Sequence, residues 1–314
     1  KWSQNLFGIN IDSQKKPLFA LLDEVHTYEG SSGAHSALTF RRWRNLVGKP
    51  IHWVGLSATL SDADRFFSDL TGVDNEKVEE ITPRIDEMHD EGSEYQIILR
   101  GQSSERTSLL STTIQTAMLL PRFLEAKYSG TYGKRAFLFT DDLDVTNRLY
   151  YNLLDAEAYN IFARPDNTRK PLAALRGSQG DPIRRNIYGQ RWKACEDIGH
   201  PLDKRLSVGR TTSQDSGVGS NTNIIVATAS LEVGFNDPEV GAVIQHKAPR
   251  GMASFLQRKG RAGRTKTMRP ITLTVLSDFG RDRSFYQSYE TLFDPTIDSH
   301  YLPIKNPYIL KIQA

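Results

Sequence analysis

The sequence predicts an α/β protein that contains two parallel-sheet domains. Short apolar runs alternate with segments that are apolar at helical spacing, which is the pattern of parallel strands joined by crossover helices. This alternation occurs twice, over residues 17–72 and again over residues 134–280. The length of 314 residues also suits two domains, at roughly 150 residues per domain.

The composition is that of a globular protein, with 38% hydrophobic and 25% charged residues, which excludes a largely disordered chain. The net charge of +3 is compatible with a nucleic-acid partner but does not by itself indicate one. No apolar run is long enough to span a bilayer, so we expect a cytoplasmic protein without a membrane partner. The single cysteine, Cys195, excludes an intrachain disulfide and is expected to be a buried, inert thiol.

Two apolar runs in the first series predict strands at 17–22 and 51–56. The first run, PLFALL, stops at two acidic residues, which is typical of a buried parallel strand that ends at a sheet edge. Helices are predicted at 34–47 and 61–70, and Ser61 is the predicted N-cap of the second helix.

The second series predicts strands at 136–140, 224–227, 242–245 and 271–276, and a helix at 142–156. Between the two series we expect a short strand at 95–99 and a helix at 107–128 with a break at Pro121. The domain boundaries follow: a first domain at 1–72, a connector at 73–133, a second domain at 134–280 with a long basic insertion at about 160–222, and a C-terminal extension that starts at 281.

Two short motifs follow the strands of the first series. Asp23-Glu24-Val25-His26 ends the first strand, where one carboxylate can hold the water shell of Mg²⁺ and the other can deprotonate an attacking water. Ser57-Ala58-Thr59 ends the next strand, where its hydroxyls can orient a neighbouring carboxylate. A solvated turn explains the first motif equally well, and a simple helix cap explains the second.

The segment QRKGRAGR, residues 257–264, is more specific. Arg261 and Arg264 are three residues apart and share one face if the segment is helical. Paired guanidinium groups suit the terminal phosphate of a nucleotide, and the glycines let a ligand approach the backbone. The alternative, a basic solvated helix face, does not explain the interleaved glycines. Upstream, residues 226–236 run from a strand into hydroxyls and a glycine, a loop suited to phosphate contacts.

The order of these motifs resembles motifs II to VI of superfamily 2 helicases, over about residues 17–276. The DExH box and the wording LEVGFN…QRKGRAGR are similar to the Lhr-type branch. The strings FFSDLTGV, RTSLLSTTIQTAMLL and QHKAPRGMASFLQRKGRAGR are similar to helicases of bacterial phage-defence systems of the DISARM kind, which implies a role in antiviral defence.

The resemblance implies two RecA-like parallel-sheet domains, the first truncated at its N-terminal side, with ATP and Mg²⁺ between them. Asp23 would hold Mg²⁺ through water, and Glu24 would be the catalytic base. His26, Ser57 and Thr59 would couple hydrolysis to movement of the nucleic acid.

The resemblance also assigns roles to residues of the second domain. Gln257 would sense the terminal phosphate, and Arg261 and Arg264 would be arginine fingers. Gly234 and Asn236 would contact the nucleotide, although Asn236 stands where many relatives carry Asp. Thr140 and Thr228 would contact the nucleic-acid backbone.

No G-x-x-x-x-G-K-S/T phosphate loop occurs in the sequence. The resemblance places this loop, motif I, upstream of Lys1, so we expect a fragment that alone does not hydrolyse ATP. The expected function of the parent protein is an ATP-dependent helicase or translocase on single-stranded or partly duplex nucleic acid, with DNA favoured and a protein partner in a defence or repair complex. The alternative is an inactive nucleic-acid-binding or regulatory subunit.

Overall fold

The computed structural model describes residues 2–9, 12, 15–57, 60–88, 92–101, 108–124, 130–177, 190–211, 219, 221–228, 237–295, 297, 299 and 301–313. The chain divides into two compact units. Unit 1 comprises Lys1–His89 together with Ile297–Ala314, and unit 2 comprises Asp90–Thr296.

Unit 1 is built on two parallel strands whose apolar side chains pack against flanking helices. Its core includes Val25, Trp53, Phe66 and Leu70. Its strands are β1 (Phe19–Leu22) and β2 (His52–Gly55), its helices are α1 (Trp2–Leu6), α2 (Gly30–Val47), α3 (Ala63–Thr71) and α10 (Pro307–Gln313), and its 3-10 turns are Val25–Thr27, Asn75–Lys77 and Ile85–Glu87.

Strand β1 is less buried than the sequence predicts. Leu22 is buried, but Phe19 and Leu21 are 65% and 72% exposed. Among the described residues β1 pairs with β2 alone, and alternate side chains of a strand point to opposite faces. The face that carries Phe19 and Leu21 is therefore uncovered, so the prediction of a strand buried on both faces was wrong.

The start of α3 differs from the prediction as well. The helix begins at Ala63, and the residue before it is Asp62, which has a left-handed backbone (φ 50°) and forms no side-chain cap. The Asp62 carboxylate instead accepts a hydrogen bond of 2.6 Å from the Ser299 hydroxyl. The predicted N-cap at Ser61 was wrong because the chain turns at Asp62.

Unit 2 is a six-stranded parallel sheet with helices around it. The strand order is β3-β8-β7-β4-β6-β5. The strands are β3 (Tyr95–Arg100), β4 (Arg135–Thr140), β5 (Val208–Thr211), β6 (Ile224–Thr228), β7 (Val240–His246) and β8 (Ile271–Leu276), and the helices are α4 (Leu109–Phe123), α5 (Leu143–Ala156), α6 (Lys193–Ile198), α7 (Met252–Lys259), α8 (Gly280–Gln287) and α9 (Glu290–Phe293), with a 3-10 turn at Leu172–Arg176.

Both faces of this sheet are covered, as is usual for parallel sheets. Leu138 and Ile244 belong to the apolar cluster that includes residues of α4 and α5. Their strand neighbours Phe137, Phe139 and Val243 belong to a second cluster, together with residues of β6. This arrangement confirms the α/β fold class, and the apolar runs that predicted the central strands are continuous because both faces are buried.

Three segments lie elsewhere than the sequence predicts. Residues 95–100 and 109–123, predicted to lie in a connector, form the edge strand β3 and helix α4 of unit 2. Residues 208–211, predicted inside the insertion, form the other edge strand, β5. The predicted C-terminal extension divides, since residues up to 296 belong to unit 2 and the rest to unit 1.

A buried ion pair anchors the C-terminal turn of α4. Arg122 and Glu157 are each 1% exposed, and they form two hydrogen bonds of 2.8 Å. The expected break at Pro121 is absent, because α4 continues to Phe123. We attribute the continuity to this anchor, which holds the turn in place one residue beyond the proline.

Candidate functional site

The acidic pair follows the carboxyl end of β1. The carboxylate of Asp23 is exposed and accepts a 2.9 Å hydrogen bond from the backbone N–H of Glu24. Glu24 has a left-handed backbone (φ 49°, ψ 51°), which non-glycine residues adopt rarely and mostly where the surroundings impose it. The chain therefore turns sharply at Glu24, and the two carboxylates stand at the edge of the strand pair.

The structure brings His26 and Ser57 together, as the sequence predicts for coupled motifs. The His26 Nδ1 atom lies 3.1 Å from the Ser57 hydroxyl oxygen and 3.5 Å from Glu24 Oε2. His26 is 7% exposed, so its ring is held by packing as well. Backbone bonds join the same two segments, including Val25 N–H to the Leu56 carbonyl at 3.0 Å. Thr59, the other predicted coupling residue, lies outside the described residues.

Thr140 and Thr228 end neighbouring strands at the carboxyl edge of the unit 2 sheet, where they are register partners. Thr140 is fully buried, and its hydroxyl donates to the Asp142 carbonyl (2.9 Å) and lies 2.6 Å from the Thr146 hydroxyl. This hydroxyl fixes the start of α5, and Thr140 also lines a pocket at this edge. Its expected contact with the nucleic-acid backbone stays a prediction. Thr228 is half-buried.

The two predicted arginine fingers do not share a helix, which corrects the expected helical face. Helix α7 contains Gln257 but ends at Lys259. Gly263 is left-handed (φ 77°) and donates to the Val240 carbonyl at 3.2 Å, so the chain turns beneath the amino end of β7. A Cβ at Gly263 would come within 2.7 Å of Pro270, so the turn requires glycine.

The two fingers also differ in exposure, because Arg261 is 9% exposed whereas Arg264 is exposed. Both flank the amino edge of the sheet, while Thr228 lies at its carboxyl edge. The two predicted arginine fingers and Thr228 therefore lie at opposite edges of one sheet. Gly234 and Asn236 lie outside the described residues, but the next residue, Asp237, forms an ion pair with Arg135 at the amino edge.

Arg258 has a structural position. It is 2% exposed, and its guanidinium lies 2.9 Å from Gln245 Oε1 and 2.6 Å from Asp141 Oδ1. The guanidinium also lies 5.7 Å from the centroid of the Phe139 ring. Arg258 thus joins α7 to β4 and β7 and fixes the helix that carries Gln257.

Comparison with known proteins finds a family match for part of this chain. Residues 206–266 match the helicase conserved C-terminal domain. The match covers the end of the predicted insertion, strands β5 to β7 and helix α7, and it ends within the turn that carries Arg261 and Arg264.

Solved structures have the same fold. The chain is similar to the helicase Lhr of Mycobacterium smegmatis bound to single-stranded DNA and AMP-PNP, with a TM-score of 0.59 and 17% identity over 96% of this chain and 33% of that one. It is also similar to the DUF1998 helicase MrfA bound to DNA and AMPPNP, with a TM-score of 0.57 and 18% identity over 95% of this chain and 36% of that one. The resemblance to superfamily 2 helicases is thus confirmed, and unit 2 is RecA-like.

A sequence relative is the ATP-dependent helicase HRQ1 of Saccharomyces cerevisiae, which is 23% identical over 286 residues. The match covers 87% of this chain but 22% of that protein. The chain therefore spans about a fifth of the length of this curated relative and about a third of the solved chains.

The acidic pair Asp23 and Glu24 fits Mg²⁺ in a limited way. Within the described residues, no three side chains of the kinds that ligate metals lie together. Mg²⁺ bound with ATP usually keeps several waters and takes one or two carboxylates plus phosphate oxygens. The exposed Asp23 carboxylate suits that arrangement and does not by itself form a metal cage.

Within the described residues, no helix is long and apolar enough to cross a membrane.

Sequence reasoning missed one cluster of charged side chains at the carboxyl edge of this domain. Lys247 and Arg250 follow β7, and Arg281 and Asp282 begin α8. Together with the ends of β4 they line a pocket of about 300 Å³. The string HKAPRG after a strand was the available signal, but Arg281 is distant in the sequence and gave none.

Proposed function

We propose that this chain is part of an ATP-dependent motor that moves along nucleic acid. The observation that carries the proposal is the contact of His26 with both Glu24 and Ser57, in a chain that also contains a helicase C-terminal domain. This contact joins the acidic pair to the segment that ends the neighbouring strand, so a change at the carboxylates reaches that segment through one buried ring.

The two carboxylates take different roles in this proposal. Asp23 is exposed and holds the water shell of Mg²⁺, which when bound neutralises charge on the ATP phosphates. Glu24 orients the attacking water and accepts its proton, and the left-handed turn at Glu24 sets the direction of its side chain. His26 and the Ser57 hydroxyl hold Glu24 in place, and Thr59 completes the coupling segment.

The remaining nucleotide contacts are assigned to unit 2, where the turn that carries Arg261 and Arg264 lies at the amino edge of the sheet. Gln257 reads the terminal phosphate, and Arg261 and Arg264 stabilise charge on it as the bond breaks. Gly234 and Asn236 are assigned to the nucleotide in the same way. The exposed Arg264 is accessible to a ligand, whereas Arg261 is buried in the turn itself.

Nucleic acid is assigned to the carboxyl edge of the sheet, with Thr228 as a backbone contact. The similar Lhr and MrfA structures contain DNA, which supports DNA as the partner, single-stranded or partly duplex. Contacts mainly to phosphates make binding insensitive to sequence and sensitive to salt. The similarity of three strings to phage-defence helicases supports a protein partner in a defence or repair complex.

The test is Glu24→Gln in a protein extended upstream far enough to include a phosphate loop. The substitution keeps the shape of the side chain and removes its base, so ATP binding should persist while the turnover number falls by about 10²- to 10⁴-fold. Glu80→Gln, at an exposed carboxylate of the same unit, is the matched control and should leave turnover unchanged.

Two results would contradict parts of the proposal. Wild-type turnover in the Glu24→Gln protein would remove Glu24 as the base. An extended wild-type protein that binds a DNA strand but does not hydrolyse ATP would favour the alternative, a binding or regulatory module without turnover.

A further inference from the structure

The pocket at the carboxyl edge of unit 2 has charged walls from three segments of the chain. Asp141 follows β4, Lys247 and Arg250 follow β7, and Arg281 and Asp282 begin α8. Ligands of open α/β sheets bind at this edge, outside the carboxyl ends of the strands. The pocket therefore lies where the fold places ligands, and no role was predicted from the sequence for its charged residues.

The carboxylates of the pocket are committed to the protein itself. Asp282 is 6% exposed and accepts hydrogen bonds from Ala248 N–H (3.0 Å) and from the N–H and hydroxyl of Ser277 (2.9 and 2.8 Å). Asp141 accepts from Arg258 at 2.6 Å. The nearby Asp142 caps α5. Their negative charge is thus largely offset by internal donors.

The cations of the pocket form fewer hydrogen bonds and ion pairs within the protein than the carboxylates do. Among the described residues the Lys247 ammonium has no hydrogen-bond or ion-pair partner, and Lys247 is exposed. The Arg250 side chain is 73% exposed, and its nearest described carboxylate oxygen, on Asp141, is 3.9 Å away. Arg281 gives one nitrogen to the Ala248 carbonyl at 2.7 Å and retains further donors. The pocket therefore has donor capacity for an anion.

The loop that carries these cations is held in a strained conformation. Lys247 is left-handed (φ 70°), which costs a non-glycine residue stability and tends to persist at functional sites. The Lys247 N–H donates to the Val275 carbonyl at 2.9 Å. The Ala248 N–H donates to the Asp282 carboxylate, and Arg281 donates to the Ala248 carbonyl. The loop is thus fixed before any ligand binds, which lowers the ordering cost of binding.

We propose that Lys247, Arg250 and Arg281 bind one backbone phosphate of a nucleic-acid single strand that runs along the carboxyl edge of the sheet. This inference rests on the proposed function, because it names a contact of the same strand. A phosphodiester is favoured over a free nucleotide for two reasons. None of the described residues that line the pocket is Phe, Tyr or Trp, the larger rings on which bases usually stack, and the predicted arginine fingers Arg261 and Arg264 lie at the opposite edge of this sheet.

The test compares the binding of single-stranded nucleic acid, without ATP, by the 314-residue chain and by two double variants. Lys247→Gly with Arg250→Ala removes the two exposed cations of the pocket, and glycine at 247 relieves the left-handed strain, so the variant should fold. Arg164→Ala with Lys170→Ala removes two exposed cations outside the pocket and is the matched control. Arg281 is left intact because it holds Ala248.

The readout is anisotropy of a fluorescein-labelled oligothymidylate over a range of salt concentrations. Each lost phosphate contact lowers the slope of log affinity against log salt by about 0.7 for single strands. The pocket variant weakens the contact to one phosphate, so its slope should fall by up to about 0.7, which is about a fivefold loss of affinity at about 0.1 M salt if affinities agree near 1 M. The control should keep the wild-type slope, and both variants should keep the wild-type circular dichroism melting curve.

Each contrary outcome has a distinct meaning. Equal slopes in the pocket variant and the wild type overturn the pocket assignment and leave the motor proposal to the Glu24→Gln test. An absence of oligothymidylate binding by the wild-type chain overturns both the pocket and the nucleic-acid part of the proposed function. Displacement of the strand by inorganic phosphate, beyond the effect of chloride at equal ionic strength, identifies a free-anion site and overturns the strand assignment.

Discussion

The buried pair of Arg122 and Glu157 should carry much of the stability of unit 2, and Glu157→Gln tests this. Arg122 donates to both Glu157 oxygens at 2.8 Å, to the Met118 carbonyl at 2.7 Å and to the Lys204 carbonyl at 3.0 Å. Glu157 also accepts from Leu206 N–H at 2.8 Å. The pair thus joins α4, the end of α5 and the chain that leads into β5.

The amide in Glu157→Gln keeps the size of the side chain and leaves the Arg122 charge buried without its counter-ion. Breaking a buried ion pair in this way costs about 3–5 kcal/mol. Asp155→Asn is the matched control, because Asp155 lies on the same helix and pairs with Arg169 at 2.9 Å while 69% exposed. Exposed pairs contribute at most about 1 kcal/mol.

Cys195 provides the assay, since it is the single cysteine, is fully buried in α6 and belongs to unit 2. Burial raises the pKa of its thiol to about 11, so the folded protein should react slowly with a thiol reagent. When labelling occurs through opening, about 1.4 kcal/mol corresponds to a tenfold rate. Glu157→Gln should therefore speed labelling by about 10²- to 5 × 10³-fold, and Asp155→Asn by about fivefold at most. Equal labelling rates for the two variants would refute the assigned contribution of the pair.

The other predictions concern the turn after α7 and the pH dependence of stability. In the extended protein, Arg264→Ala should cut ATP turnover by about 10³-fold without lowering the melting temperature, because the side chain is exposed; normal basal turnover would contradict its role as a finger. Burial lowers the pKa of His246 to about 4, so the unfolded chain binds more protons than the folded one between about pH 6.5 and 4. Stability should be full above about pH 6.5 and should fall by up to about 3 kcal/mol as the pH drops to about 4. In urea titrations, the His246→Gln protein should not show this decrease in the free energy of unfolding at low pH. A variant with the same pH dependence as the wild type would argue against the lowered pKa of His246.

The sequence predicts the central strands of unit 2 well because they are apolar on both faces. Residues 136–140, 224–227 and 271–276 each coincide with an observed strand to within one residue. Strand β5 was not predicted, because its sequence, VGRT, has one large apolar residue and no alternation of apolar and polar residues. Strand β3 was found as a strand but assigned to a connector, since its pairing with β8 is a long-range contact that local pattern does not encode.

Parts of the candidate site could be predicted from local sequence, whereas others depend on contacts between residues that are distant in the sequence. The adjacency of His26 and Ser57 was predictable, because parallel strands place their ends at one edge. The helical face expected for Arg261 and Arg264 was wrong because the glycines that suggested a ligand also end the helix. The pocket at Lys247 could not be predicted from the sequence, because Arg281 and Asp282 contribute to it from a distant segment of the chain.

The parallel sheet of unit 2 also has a mechanical consequence. Strand β4 is six residues long, so the two edges of the sheet are about 20 Å apart at about 3.3 Å per residue. Both faces are packed, and packed interiors have low compressibility and transmit strain. We therefore expect a displacement imposed on the turn at Gly263 to move Thr228 and Lys247 with it, because the packed sheet between them has little room to deform.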